Sequence, residues 1–366
     1  MHELAAQVVN GIQLGSIYAL IALGYTMVYG VLKLINFAHG DIYMVGAYTG
    51  LGAIFVLEKL KVHANSAPEA ILVLIITMIV CGALGFFIEQ AAYRPLRSRA
   101  WLAPSIFLGG AFGYISWQVA ADANRNPASC AVIACVVGVS IALLLRKTQR
   151  NRSARVSPRL TALITAIGMS LFLENFGVLP QIFGSDQRYI LFSLPSNYRL
   201  AGVPVDLPTV MIFIVSFALM GLLTFVVTRT KIGKAIRAVS FDADAAALMG
   251  INTDRVTSIT FALGAALAGA AGVMVTGVTG TGFTPYVGLM PGVKAFIAAV
   301  LGGIGSIPGA LIGGLIMGLA ETMVVAYGSN IGIPSTYRDA VAFFILIVIL
   351  LVRPSGILGK YTPEKV

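Results

Sequence analysis

TKIGKAIRAVSFDADAAALMGINTDRV, residues Thr230 to Val256, is a polar segment set between two apolar runs, Leu207–Thr228 and Thr257–Val278. About 20 apolar residues suffice for a helix to cross a bilayer, so each flanking run is a candidate span. A basic, helix-forming segment wedged between two spans belongs at a membrane surface. Within it, Asp242 to Ile251 carry acids at the front, alanines in the middle and Gly250 near the end. That order is the signature of a short capped helix stopped by a left-handed glycine. Its alanines leave a small-profiled face, suited to insertion into a cleft on another protein; a solvated surface helix reads the same way.

The rest of the chain follows from that frame. Of its 366 residues 58% are hydrophobic and only 11% are charged, with a mean hydropathy of +0.89. Soluble domains carry roughly 25% charged residues, so this chain cannot cover a soluble surface and is an integral membrane protein. Its apolar runs are continuous rather than alternating, which selects helices over a barrel. The net charge of +10 does not imply a nucleic-acid partner, because the basic residues sit in short loops beside spans. Cys81, Cys130 and Cys135 lie in or at the ends of apolar runs and form no metal or redox spacing. The start, MHELAAQVVN, lacks a basic n-region, so the first span is expected to be retained.

Candidate spans fall at about 5–31, 38–57, 69–91, 101–119, 129–145, 160–180, 207–228, 257–278, 291–303, 308–327 and 337–352. The expected fold is an all-α polytopic membrane protein of about 9–11 transmembrane or half-membrane helices. The run at 291–303 is too short to cross alone and reads as half of a broken helix, split from the next at GGIGSIPG, Gly302–Gly309. Four basic groups set the orientation: Arg94, Arg97 and Arg99; Arg146 to Arg159; Arg229 to Arg255; and Arg353, Lys360 and Lys365. They share one side if the runs are spans, which places the N-terminus in the periplasm and the C-terminus in the cytoplasm. Lys59 and Lys61 run against the rule.

The chain shows no GxxxxGK[ST] loop to cradle a phosphate, no nucleophile–base set and no metal cluster, with only His2, His39 and His63 available. The first two spans are joined by NFAHGDIYMVGAY, Asn36–Tyr48. Asn36 suits a helix cap, and Asp41 would lie near the positive end of the next helix. A polar break at membrane depth is also costly, so Asn36, His39 and Asp41 are candidates for a translocation path. Lys294 and Glu321 flank the second break and can pair; with Gly305 they complete the path candidates. Rows of small residues, Gly264 to Gly272 and Gly309 to Gly318, read as tight helix packing.

On these residues the chain closely resembles the LivH-type permease subunits of branched-chain amino acid ABC importers. The resemblance rests on residues 10–48, IEQAAYRPLR (88–97), LTALITAIGMSLFLEN (160–175), residues 231–256, residues 285–321 and RPSGILG (353–359). It implies a single permease domain, 1–366, in a bacterial inner membrane. Its implied partners are a second, dissimilar permease subunit, two cytoplasmic ATPases that bind the ATP, and a periplasmic substrate-binding protein. No cofactor or metal of its own is implied. The family's coupling motif maps onto Ala245, Ala246, Gly250 and Ile251, in a cytoplasmic coupling loop 230–256. One departure is an insert of about 60 residues at 98–158, with two apolar runs that would return the chain to the same side. The competing readings are a sugar or amide permease of the same superfamily, and a stand-alone secondary transporter or channel.

Overall fold

In the computed structural model, which describes residues 2–60, 67–94, 158–189, 199–200, 203–204, 206–280, 282–332 and 334–359, the apolar runs are helices. They are α1 (His2–Leu32), α2 (His39–Lys59), α3 (Ala67–Ile88), α4 (Pro158–Val178), α5 (Leu207–Arg229), α6 (Lys231–Phe241), α7 (Ala243–Leu248), α8 (Thr253–Thr279), α9 (Leu289–Gly302), α10 (Ile307–Tyr327) and α11 (Arg338–Val352). Among the described residues, 7 helices are long and apolar enough to cross a membrane, and two shorter apolar ones, Leu163–Val178 and Leu289–Gly302, join them. The protein is thus a polytopic helical membrane protein. The expected spans at 101–119 and 129–145 lie outside the described residues. Outside the helices the chain pairs in a small antiparallel ribbon, Arg199–Leu200 with Val203–Pro204, and in an isolated antiparallel bridge between Arg188 and Phe283.

The chain divides into two units, Met1–Phe86 with Ala166–Val366, and Phe87–Thr165. In the second, α3 ends in a wide helical turn, Glu89–Tyr93. The first is built around α1, whose residues Ala19 to Leu23 are wholly buried. Small residues let other backbones reach it. A Cβ on Gly15 would lie 2.7 Å from the Leu315 Cα, and one on Gly314 would lie 2.5 Å from the Ala19 nitrogen. The same device joins α2 to α8, where a Cβ on Gly46 would meet the Gly269 Cα at 2.5 Å. The glycine rows therefore serve backbone-to-backbone packing, which replaces the missing hydrophobic drive between helices in lipid. Large apolar side chains point outward instead: Ile79 on α3, Phe225 on α5, and Phe344 and Leu351 on α11 are exposed. In lipid such exposure carries no hydrophobic penalty.

Two turns depart from simple up-and-down packing. After α1, Lys33 adopts a φ of +54° and the chain doubles back. The following helix begins at His39, whose Nε2 lies 3.2 Å from the Ile21 carbonyl oxygen. Ile21 stands about eleven residues, or roughly 16 Å of helix, before the end of α1. Residues 33–38 are therefore non-helical backbone alongside α1, with Asn36 and Ala38 buried and Lys33 and Phe37 exposed. Asn36 does not cap α2: the cap position is Ala38, with no side-chain hydrogen bond.

The second turn lies between α9 and α10. It is a helical hairpin rather than one helix broken in two. Residues 302 and 309 meet across it, as do 298 and 313. Gly303 at φ +102° and Gly305 at φ +95° make the reversal, a region of backbone space closed to most side chains. The Ser306 hydroxyl accepts the Gly309 N–H at 3.2 Å to start α10. The C-terminal stretch fastens the turn: the Ile357 and Leu358 N–H groups donate to the Leu301 and Gly302 carbonyls, both at 2.9 Å.

Candidate functional site

The polar segment folds as two short helices. Thr230 caps α6, its hydroxyl accepting the Gly233 N–H at 3.1 Å. Ile236 and Val239 turn inward and are buried, while the Arg237 guanidinium donates to the Val227 carbonyl at the end of α5. Asp242 caps α7 through its carboxylate, which accepts the Ala245 N–H at 2.9 Å. At the other end the Gly250 N–H bonds the Ala247 carbonyl and the Ile251 N–H bonds the Ala246 carbonyl, each at 3.0 Å. With Gly250 at φ +83°, this is the glycine-terminated stop read from the sequence. Asn252 then caps α8, accepting the Arg255 N–H at 2.9 Å. Three caps in 23 residues make a rigid elbow, each cap contributing about 1 kcal/mol.

The four coupling candidates divide. Ala245 and Gly250 are exposed and Ile251 is half-buried, but Ala246 is buried at 5% and anchors the helix to its own chain. Sequence reasoning missed the apolar side chains that actually stand out: Phe241 is 95% exposed, Leu248 89% and Met249 83%. Phe241 and Met249 flank, and Leu248 ends, a helix of six residues, too short to show a periodic signal.

The path candidates divide too. Asp41, in the first turn of α2, lines a cavity of about 210 Å³ with Ser170 from α4 and Tyr25 from α1. Gly288 and Gly292 let the start of α9 approach: a Cβ on Gly40 would lie 2.6 Å from the Gly288 oxygen, and one on Gly292 2.9 Å from the Gly40 Cα. Phe37, Phe296, Phe343 and Leu346 supply an apolar wall. The Asp41 carboxyl is 1% exposed and lies against Ser170 and Glu174. Asn36 and His39 are equally buried, yet His39 turns toward α1, its ring 4.6 Å from that of Tyr25. It fastens α2 to α1 and is not among the residues lining the cavity.

Lys294 and Glu321 do pair, at 2.6 Å. Lys294 also meets Asp339 at 2.7 Å, and the Tyr18 hydroxyl donates to the other Glu321 oxygen at 2.7 Å. With Arg338, 3.9 Å from Glu321 and 3.7 Å from Asp339, the cluster ties α1, α9, α10 and α11 together, two cations against two anions. Gly305 belongs to neither group: it sits exposed at the hairpin tip, with open space around it. Sequence reasoning missed Ser170 and Glu174, although their i,i+4 spacing puts them on one helix face.

The family profile described as branched-chain amino acid transport system / permease component matches residues 7–108 and 102–350. The two matched pieces overlap at 102–108, within the expected insert. The chain is 38% identical over 366 residues to the high-affinity branched-chain amino acid transport system permease protein BraD of Pseudomonas aeruginosa, covering 98% of this chain and 97% of that one. It is likewise 38% identical to LivH of Escherichia coli K12, with the same coverage. A xylose transport system permease of Escherichia coli is 32% identical over 130 residues, 34% of this chain and 31% of its own. No solved structure matches the chain.

Proposed function

The chain belongs to the family of permease components of branched-chain amino acid transport systems, and on that footing we propose that it is the membrane subunit of an ABC importer carrying leucine, isoleucine and valine inward. The observation that carries this reading is the 38% identity to such permeases over 98% of the chain. A sugar permease is the weaker reading, since the xylose permease matches only 34% of the chain.

ATP is bound and hydrolysed by two partner ATPases on the cytoplasmic face of the bacterial inner membrane, where the segment 230–256 and the C-terminus lie. The elbow of α6 and α7 docks into them. Phe241, Leu248 and Met249 are the contact residues, Ala245, Gly250 and Ile251 shape the surface between them, and Ala246 transmits its movement to α8. A periplasmic binding protein delivers the amino acid, and a second, dissimilar permease subunit completes the path. The path follows the cavity at Asp41, where Asn36 and His39 hold the break open. The Lys294–Glu321 cluster and the Gly305 turn frame the moving helices.

Affinity purification of the tagged chain in mild detergent tests the assembly. Two ATPase polypeptides and a second permease are expected in stoichiometric amounts; a homogeneous preparation of this chain alone, active in transport, would point to a secondary transporter.

A further inference from the structure

We infer that Asp41 binds the α-ammonium group of the amino acid as it passes through the cavity, with Ser170 holding its carboxylate in place. The inference rests on the importer reading and adds to it the residue that recognises the substrate's charge. Among the described residues, the Asp41 Oδ2 is buried with no hydrogen-bond partner of good geometry. Such an atom in a membrane interior is expensive unless it serves a ligand. It borders a cavity of about 210 Å³ whose remaining wall is largely aromatic and aliphatic. A carboxylate beside an apolar wall is what an aliphatic amino acid requires: one end for the ammonium, the other for the side chain.

Two features keep that carboxylate ready. It stands in the first turn of the 21-residue α2, where the helix dipole favours a negative charge. The Ser170 hydroxyl, on the cavity wall, lies against it. Glu174, 8% exposed, lies behind it and is not among the cavity-lining residues, so Asp41 presents the carboxylate that an arriving ammonium meets.

Transport by the complete complex in proteoliposomes, with binding protein and ATP, decides the matter. Asp41→Asn removes the carboxylate from the cavity wall and is expected to reduce leucine uptake at least tenfold. Glu174→Gln leaves the cavity lining unchanged and is expected to keep uptake within about threefold. ATPase stimulation by loaded binding protein should change less than twofold in both. Uptake by Asp41→Asn within threefold of the unmodified complex, or an equal loss in Glu174→Gln, overturns the inference and leaves the importer reading standing. If Asp41→Asn does not assemble, Ser170→Ala decides: a three- to tenfold loss supports the site and unchanged uptake overturns it. An unmodified complex that moves no leucine overturns the importer reading and this inference with it.

Discussion

Two residues carry more than their size suggests. Gly250 sits at φ +83°, where any Cβ costs roughly 1–2 kcal/mol, yet nothing lies within 4 Å of the place a Cβ would occupy. A large side chain there would strain only the local turn within this chain but would collide with anything docked on α7. Gly250→Trp should therefore reach the membrane at normal levels, judged by quantitative immunoblotting, and fail to retain the ATPases; normal uptake by this variant would count against docking at the elbow. Lys294 is the opposite case. It is buried at 6% and faces Glu321 and Asp339, so removing its charge leaves the buried Glu321 with only the largely exposed Arg338, 3.9 Å away. Lys294→Met should lower stability by about 3–5 kcal/mol, seen as a fall in the unfolding midpoint in detergent. The double change Lys294→Met with Glu321→Met should recover most of it. A double variant no more stable than the single would show that the cluster does not act as a pair.

At the scale of elements, what the sequence disclosed depended on whether a signal was local. The helices were legible because hydrophobic length is a local quantity: α5 spans Leu207–Arg229 where a run at 207–228 was expected, and α10 spans Ile307–Tyr327 where 308–327 was expected. The elbow was legible because caps are local as well, Asp242 and Gly250 announcing both ends of α7. The two turns were not. Asn36 looked like a cap, but after the reversal at Lys33 it is Ala38 that takes the cap position. GGIGSIPG looked like a break in one helix, but the outcome depends on whether Gly302 and Gly309 pack together and on the tail that fastens Leu301, a contact more than 50 residues away in sequence. The exposed Phe241, Leu248 and Met249 were hidden for the same reason: exposure is decided by what the rest of the chain fails to cover. The insert at 98–158 leads to a test of topology. If it crosses the membrane twice, deleting it leaves the elbow on its original side, so a reporter fused after Arg237 should give the cytoplasmic signal in both forms. A periplasmic signal in the deletion variant would mean an odd number of crossings.

For the whole molecule, the central claim is that the chain forms a passage whose energy comes from elsewhere. The sequence lacks a phosphate-binding loop, and the described structure offers a capped elbow with exposed apolar side chains at one place and a small cavity with one buried carboxylate at another. On the proposed importer reading, accumulation draws on partners that deliver substrate and supply work. The most direct test is accumulation of radiolabelled leucine in sealed proteoliposomes containing the purified complex, with binding protein on one side and ATP on the other. The account predicts uptake against a concentration gradient that requires both ATP and binding protein, is abolished by a non-hydrolysable ATP analogue, and is competed by isoleucine and valine but not by xylose. Accumulation that persists without ATP, or that follows an imposed ion gradient instead, would contradict it.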